Sequence, residues 1–268
     1  MSSSASDAET SLPKEPLARG HHGGVFEGLI PIRTVLFQQG DARGALQALK
    51  TYQFKRGLAA NERRAVMELV GLSYRILHEW EAAQQAFGEI PDPFQAGYCA
   101  LLSGNVATAI RWWQPLIQKI NPNHWALSLL GMVTGQLQRW PSMLQIRNYL
   151  EQDVYALAEA GQGALLDNVL ACAPILLQIN PEAPKLMGRS LLYARHFSKA
   201  LELLLLGQRT LPQDSEVYFH LGQCYSALND TLQARRCLHQ CLMINPDYKP
   251  AQWLLETLPV PLVEASGL

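Results

Sequence analysis

The sequence predicts an all-α fold in which about six helical hairpins stack into an α-solenoid. The first observation behind this prediction is a 34-residue period in the C-terminal third, where five positions recur. Gly188, Leu191, Ala200, Leu204 and Pro212 return as Gly222, Tyr225, Ala234, Leu238 and Pro246. A period of this length built from two helices is typical of a solenoid, because each repeat buries its apolar face only against its neighbours.

A second observation is a small residue followed 12 positions later by alanine and, four positions further, by a bulky apolar residue. The pattern is present at Gly71, Ala83 and Phe87, at Gly97, Ala109 and Trp113, and more weakly at Arg33, Ala45 and Leu49. Two antiparallel helices approach to ~8–10 Å only where both carry small side chains. We therefore expect Gly71 and Ala83 to face each other, with the bulky residue beside the crossing. Gly131, one period after Gly97, predicts the fourth hairpin.

Turn residues separate the predicted hairpins. Asn-Pro pairs at 121–122, 180–181 and 245–246 end one hairpin and begin the next, because asparagine caps helices and proline fits a first helical turn. The separation of Gly131 and Gly188 exceeds one period by 23 positions, which predicts an irregular insertion near 141–180. We expect it to contain a helix over about 141–160 and an extra helix over about 164–178, kinked at Pro174.

These signals give a predicted domain organisation. Residues 1–24 form a disordered N-terminal arm and 25–160 an N-terminal sub-array. Residues 161–180 form an irregular connecting helix, and 181–258 a pair of repeats closed by a C-terminal capping helix. Residues 259–268 are a tail. On the capping helix, we expect Trp253, Leu254, Leu255 and Leu258 to cover the last apolar face, as the end of such an array requires.

Composition excludes several classes of protein. A net charge of −1 with 17% charged residues provides no broad basic surface, so nucleic-acid binding is not expected. The five cysteines are odd in number and lie within apolar helical patterns, which indicates buried thiols in a reducing compartment. No stretch resembles a signal-peptide core or the ~18 apolar residues of a membrane span. We therefore expect a cytoplasmic protein that does not contact membranes.

The last complete repeat resembles the tetratricopeptide repeat (TPR) family, and the resemblance extends over roughly residues 26–258. The family positions are occupied by Tyr218, Leu221, Gly222, Tyr225, Ala234, Leu238, Cys241 and Pro246. The resemblance implies a right-handed superhelix whose concave groove, lined by the first helix of each hairpin, binds a peptide or protein segment. It also implies a non-enzymatic scaffold or adaptor.

The family's groove positions fall on apolar, aromatic and basic side chains of this sequence. The residues that the resemblance nominates for partner binding are Arg75, Tyr98, Met132, Lys185, Arg189, Tyr193, Phe219 and Gln223, with Glu68, Leu72, Phe94, Leu101 and Ser128 beside them. Some relatives bind acidic C-terminal tails through a clamp of Lys and Asn residues. Only Lys185 and Arg189 approximate that clamp, so an acidic tail is not expected. Each nominated side chain can alternatively pack against the next repeat.

Two alternatives remain open on sequence. One is a TPR-type chaperone that shields an apolar segment of a client, which the low content of charge favours. The other is a metal protein or enzyme that uses His220, Cys224, Cys237 and Cys241, since residues four apart on facing helices suit tetrahedral zinc. Buried packing explains these cysteines more simply. No catalytic motif is present, so we expect no enzymatic activity, no cofactor and no metal. Homodimer formation is left open.

Overall fold

The computed structural model describes residues 26–55, 57–90, 92–119, 124–136 and 139–259. Every regular element in these ranges is helical, so the predicted all-α fold is confirmed. The predicted arm over 1–24, the turn at Asn121–Pro122 and most of the predicted tail lie outside the described residues. No described helix combines the length and apolar character needed to cross a membrane.

The helices vary in length from one turn to nearly five. After a short 3-10 turn at Glu27–Leu29 they are α1 (Ile30–Phe37), α2 (Ala42–Lys55), α3 (Ala60–Ile76), α4 (Trp80–Glu89), α5 (Pro93–Leu102), α6 (Val106–Lys119), α7 (Trp125–Val133), α8 (Met143–Gln145), α9 (Glu151–Glu159), α10 (Gly163–Ala171), α11 (Ala173–Ile179), α12 (Ala183–Tyr193), α13 (Phe197–Thr210), α14 (Ser215–Ala227), α15 (Thr231–Ile244) and α16 (Lys249–Thr257). A π-helical turn at Ile146–Leu150 joins α8 to α9.

The described chain divides into two compact units. The N-terminal unit contains residues 26–146 and Ala156–Ile175, and the C-terminal unit contains Arg147–Tyr155 and residues 176–259. The chain therefore passes between the units three times around the predicted insertion. The domain boundaries drawn from the sequence stay a prediction.

In the N-terminal unit, consecutive helices pack as the hairpins α1/α2, α3/α4 and α5/α6. Gly71 lies beneath the ring of Phe87, because a Cβ atom on Gly71 would lie 2.7 Å from Phe87 Cζ. Gly97 lies in the same way beneath the indole of Trp113. The closest neighbour of each glycine is thus the bulky side chain of its motif rather than the alanine. This position, beside the crossing of the two helices, is the one that the sequence pattern predicts for the bulky side chain.

In the C-terminal unit, α12/α13 and α14/α15 form the two hairpins of the 34-residue period, and α16 packs against α15. Gly188 and Gly222 are covered by Leu204 and Leu238, respectively. The backbone oxygen atoms of Ala200 and Ala234 also approach these glycines. The predicted stacking of hairpins into an α-solenoid is confirmed within each unit.

One residue with a positive φ angle ends the first helix of each hairpin. Gly40, His78, Gly104, Arg195 and Asn229 occupy this position, each seven residues after the small-residue position of its motif. The left-handed conformation closes the helix by turning its last carbonyl groups toward the next backbone amides. The turn residue therefore defines the register of a repeat.

This register corrects the prediction for the fourth repeat. Its turn residue is Gly135, which lies seven positions after Ser128 and only four after Gly131. Ser128, which is buried, therefore occupies the place of Gly97, and the prediction that Gly131 does so is wrong. The helix α7 ends about one turn earlier than the 34-residue spacing predicts.

The insertion is helical, as predicted, but its second part is broken. The helices α10 and α11 are separated at Cys172, and Pro174 is the second residue of α11. Proline is tolerated there because a first-turn backbone N–H has no partner within the helix. Pro174 thus helps to begin a helix instead of kinking one. The partner of α7 is α10, whose Asn168 Nδ2 donates to the Val133 carbonyl oxygen at 2.8 Å.

The capping helix closes the C-terminal unit with only part of the predicted apolar set. Leu254, Leu255 and Leu258 pack against the buried cluster of Phe219, Leu238, Cys241 and Ala251. Trp253 is 59% exposed, so the expectation that it covers this cluster is wrong. Successive residues of a helix point about 100° apart, which directs Trp253 away from the face that Leu254 uses.

Candidate functional site

In the N-terminal unit, Arg75 and Tyr98 lie together on neighbouring first helices. The Arg75 guanidinium carbon lies 5.5 Å from the centroid of the Tyr98 ring, and Arg75 Nη1 donates to Gln95 Oε1 at 2.8 Å. Such a cation over an aromatic face is favourable because the ring carries partial negative charge. Tyr98 is buried, so Arg75 is the more accessible member of this pair.

Phe94 connects this pair to further aromatic rings. Its ring stacks on Tyr98 at 6.2 Å and on Trp113 at 6.0 Å between centroids, and His124 meets it edge-on at 5.4 Å. Trp113 Nε1 also donates to the Phe94 carbonyl oxygen at 3.0 Å. The indole ring therefore packs against Phe94, and its N–H group has a hydrogen-bond acceptor. Both contacts hold Phe94 in place within the unit.

Met132 is the nominated residue most deeply enclosed. Its side chain has no exposed surface, and it lies four residues after Ser128, at the position that Leu101 occupies relative to Gly97. Leu101 is equally buried. The shifted register of the fourth repeat explains this placement, and Met132 contributes to packing.

In the C-terminal unit, Lys185 lies at the centre of a group of carboxylates. Its Nζ atom is 2.7 Å from Asp214 Oδ2, 3.2 Å from Glu216 Oε2 and 3.6 Å from Glu182 Oε1, although only 6% of the residue is exposed. Burial opposes the charge of this lysine, but the hydrogen bonds and charges of Asp214 and Glu216 outweigh it and raise the pKa of Lys185. Lys185 therefore remains charged and paired.

Asp214 joins that ion pair to the start of a helix. Its Oδ1 atom accepts from the backbone amides of Glu216 and Val217 and so caps α14, while Oδ2 pairs with Lys185. A carboxylate at a helix N-terminus is favoured by the unpaired amides and by the helix dipole. The buried lysine thus fastens α12 to the first turn of α14.

Arg189 is engaged by a residue that sequence reasoning missed. Its Nε and Nη2 atoms donate to the two oxygen atoms of Glu151 at 2.5 and 2.7 Å, and Ser190 Oγ donates to the Glu151 carbonyl oxygen at 2.7 Å. The two parallel contacts match the fork geometry of guanidinium and carboxylate. Glu151 lies in the insertion, outside the 34-residue pattern, so no periodic signal could identify it.

Aromatic side chains surround these charges. The ring of His220 meets Tyr193 edge-on at 6.4 Å and lies 5.4 Å from Phe219, whose ring is 5.2 Å from Tyr248. Gln223 Oε1 contacts His220 Nδ1 at 2.8 Å. Phe219 is buried, whereas Tyr193, Gln223 and Tyr248 are partly exposed.

The four residues considered as zinc ligands, His220, Cys224, Cys237 and Cys241, lie in surroundings that favour packing over metal binding. Burial raises the pKa of the Cys224 thiol to about 12 and of Cys237 and Cys241 to about 11, which disfavours the thiolate that binds zinc. His220 already contacts Gln223 through Nδ1. Within the described ranges, no group of three or more His, Cys, Asp or Glu side chains is placed to hold a metal ion.

Trp253 is a second residue that sequence reasoning missed as a binding candidate. It lies one repeat period after Phe219, which itself lies one period after Lys185, so the three share one position on successive first helices. Lys185 is covered by α14, and Phe219 contacts Tyr248 just before α16. No further described helix follows α16, and Trp253 is exposed. Extending the period by one step would have identified it.

The hairpin of α14 and α15 matches a known family. The family model described as "Tetratricopeptide repeat" covers residues 215–248, which contain both helices. No curated protein matches the chain.

Two solved structures are similar to this chain at low sequence identity. One is the crystal structure of the APC/C hetero-tetramer Cut9–Hcn1, with 16% sequence identity, a TM-score of 0.33, and coverage of 84% of this chain and 48% of that chain. This chain therefore spans about half of that relative. The other is a tetratricopeptide repeat protein from Parabacteroides merdae ATCC 43184, with 14% identity, a TM-score of 0.40, and coverage of 86% and 96%. The match of the family model to residues 215–248 confirms the resemblance to the tetratricopeptide repeat family for this hairpin.

Proposed function

We propose that this protein is a non-enzymatic scaffold or adaptor that binds a segment of another protein along the faces of its first helices. Tetratricopeptide repeats generally bind protein partners, and residues 215–248 match that family. The observation that carries the proposal is the shared position of Lys185, Phe219 and Trp253 on three successive first helices. Trp253, the last of these three residues, is largely exposed. Exposed aromatic side chains are frequent anchors in protein interfaces.

Partly exposed polar side chains beside these positions support the same surface. Arg189 and Gln223 follow Lys185 and Phe219 by four residues, one helical turn further along α12 and α14, and both keep some exposure. In the N-terminal unit Arg75 has the corresponding role beside the buried Tyr98. Met132, Lys185, Tyr98 and Phe219 are buried and support the surface by positioning their neighbours.

The test replaces Trp253, which is largely exposed, and Gln223, which is partly exposed. Trp253→Ala combined with Gln223→Ala is expected to reduce several-fold the recovery of partner proteins in affinity capture followed by mass spectrometry. Met243→Ala is the matched control, because Met243 is 77% exposed but lies on the second helix α15. Circular dichroism spectra of all variants should match. Equal recovery by the double variant and the wild type would reject the first-helix surface.

A second candidate, a chaperone for an apolar client segment, is favoured by one observation. Trp140, Met143 and Leu144 are all more than half exposed at the start of the insertion. Replacing Trp140 and Leu144 by serine is expected to abolish any suppression of the aggregation of reduced insulin, measured by light scattering. If the wild-type protein does not suppress this aggregation at equimolar concentration, the chaperone candidate is rejected.

A further inference from the structure

The ion pairs of the C-terminal unit contain more acid than base. Two cations, Lys185 and Arg189, contact four carboxylates, which belong to Glu151, Glu182, Asp214 and Glu216. Asp214 is the carboxylate closest to Lys185, and Glu151 forms a bidentate pair with Arg189. Glu182 and Glu216 therefore supply negative charge that the network does not neutralise.

Glu216 is the carboxylate with the greatest capacity for another partner. Its side chain is 43% exposed, the largest fraction among the network's carboxylates. Both of its contacts to cations use Oε2, at 3.2 Å from Lys185 and 3.9 Å from Arg189. Within the described ranges Oε1 has no hydrogen-bond partner, so it is available to a donor from outside the chain.

Glu216 lies one helical turn before Phe219 and His220 on α14, so its side chain shares their side of the helix. Tyr193 contacts His220 and Tyr248 contacts Phe219, which places two tyrosines at the ends of the same row of rings. Burial raises the pKa of Tyr248 to about 12, and the charge of Glu216 contributes further to that rise. Burial also raises the pKa of Tyr193, with Glu151 and Glu216 adding to the effect and Arg189 opposing it. Neither phenol hydroxyl hydrogen-bonds within the described part of the chain. Both tyrosines are partly exposed, and the rings of Phe219 and His220 lie between them.

A carboxylate beside aromatic rings is suited to a cationic side chain. The guanidinium of arginine or the ammonium of lysine gains a charge-assisted hydrogen bond from the carboxylate and attraction from the ring faces. An acidic segment would instead meet Glu182 and Glu216, and like charges at an interface are strongly unfavourable. Charge complementarity therefore favours a basic segment of a partner over an acidic one.

We propose that the C-terminal unit recognises a basic segment of a partner protein, whose lysine or arginine side chain pairs with Glu216 beside the row of aromatic rings that runs from Tyr193 through His220 and Phe219 to Tyr248. This inference rests on the proposed function and names the chemistry of the partner. Lys185 and Arg189 are already paired with carboxylates of the chain itself, so the exposed carboxylate rather than these two cations meets the partner.

The test begins with a library of random phage-displayed peptides selected on the full-length protein. Lysine and arginine are expected to be enriched at one position of the selected peptides. Affinity of a fluorescent selected peptide, measured by fluorescence polarisation, is expected to fall by about 10-fold or more for Glu216→Gln. Glu202→Gln is the matched control, because Glu202 is exposed on the second helix α13 and should leave affinity unchanged.

A charge exchange separates recognition from any change in folding. Glu216→Lys should reject the basic peptide and accept the same peptide with its basic residue replaced by glutamate. Selected peptides that lack basic residues, yet lose affinity with Trp253→Ala and Gln223→Ala, would overturn this inference and leave the proposed function intact. Peptides that are insensitive to every one of these variants would reject both.

Discussion

At the scale of single residues, Arg195 adopts a backbone conformation that glycine provides in other hairpins of the chain. Its φ angle is 63°, and Gly40 and Gly104 occupy the same turn position with φ angles of 68° and 82°. A left-handed conformation costs a residue with a Cβ atom roughly 1–2 kcal/mol, and glycine avoids that cost. Because Arg195 is exposed and ends α12, the strain is not offset by burial.

Arg195→Gly is therefore expected to raise the free energy of unfolding by about 1 kcal/mol, measured by urea denaturation. The control is Glu202→Gly, at an exposed position in the interior of α13, which should lower that free energy because glycine weakens a helix interior. A decrease with Arg195→Gly would show that the arginine side chain stabilises the turn by more than its backbone costs.

We expect His220 to make the stability of the C-terminal unit depend on pH. Burial is the main cause that lowers the pKa of His220, and Arg189 adds to it. The contact with Gln223 and the charges of Glu216 and Glu151 oppose this shift. Between the ordinary value of 6.5 and the lower folded value, the unfolded chain binds a proton that the folded chain does not. Stability must therefore fall as pH decreases through this range.

His220→Gln is expected to reduce this loss, which reaches at most about 1.4 kcal/mol per pH unit for one group. The comparison is the change in urea midpoint between pH 7.5 and pH 5.5, so any constant effect of the substitution cancels. His239→Gln, on an exposed position of α15, is the control. If both variants lose as much stability as the wild type, His220 does not carry the pH dependence.

At the scale of helices, Gly222 allows α14 and α15 to pack closely. A Cβ atom at this position would lie 2.8 Å from Leu238 Cγ and 2.9 Å from its Cδ2, and Leu238 is fully buried. Gly222→Ala is expected to lower the free energy of unfolding by about 1–3 kcal/mol, because a packed core must shift to admit the methyl group. Thermal and urea denaturation would measure the loss.

Gly163→Ala is the matched control for this prediction. Gly163 is the first residue of α10, and nothing lies within 4 Å of the position that a Cβ atom would take there. Alanine at this position should raise stability by about 0.4–1 kcal/mol through the lower entropy of the unfolded chain. Similar effects of the two substitutions would mean that the close packing at Gly222 is not what limits the hairpin.

The same glycine shows how far sequence could predict these elements. Gly222 and Leu238 lie in a regular period, so their hairpin and its closely packed glycine could be recognised from spacing alone. Gly131 follows the same spacing, but the turn at Gly135 sets a different register, which depends on how the backbone closes. The pairing of Glu151 with Arg189 could not be predicted, because it joins residues 38 positions apart across an irregular insertion.

At the scale of the whole molecule, the two compact units are interleaved along the chain. The N-terminal unit is interrupted after residue 146 and is completed by Ala156–Ile175. These later residues bring α10 against α7, where Asn168 donates to the Val133 carbonyl oxygen, and Gln162 Nε2 donates to the Leu102 carbonyl oxygen at 2.8 Å. Leu166 and Val169 of α10 are buried. A cut at residue 146 therefore removes part of the unit's own core.

A fragment of residues 26–175 is accordingly expected to unfold at a higher urea concentration, and more cooperatively, than a fragment of residues 26–146. The reason is that the shorter fragment exposes the face of α7 that α10 covers and leaves two backbone carbonyl groups without their partners. Far-ultraviolet circular dichroism and amide hydrogen exchange would measure the difference. Gln162→Ala and Asn168→Ala in the longer fragment would separate the hydrogen bonds from the apolar contacts, since each should lower its midpoint only in part. Equal midpoints for the two fragments would instead mean that the first three hairpins and α7 stabilise themselves without α10.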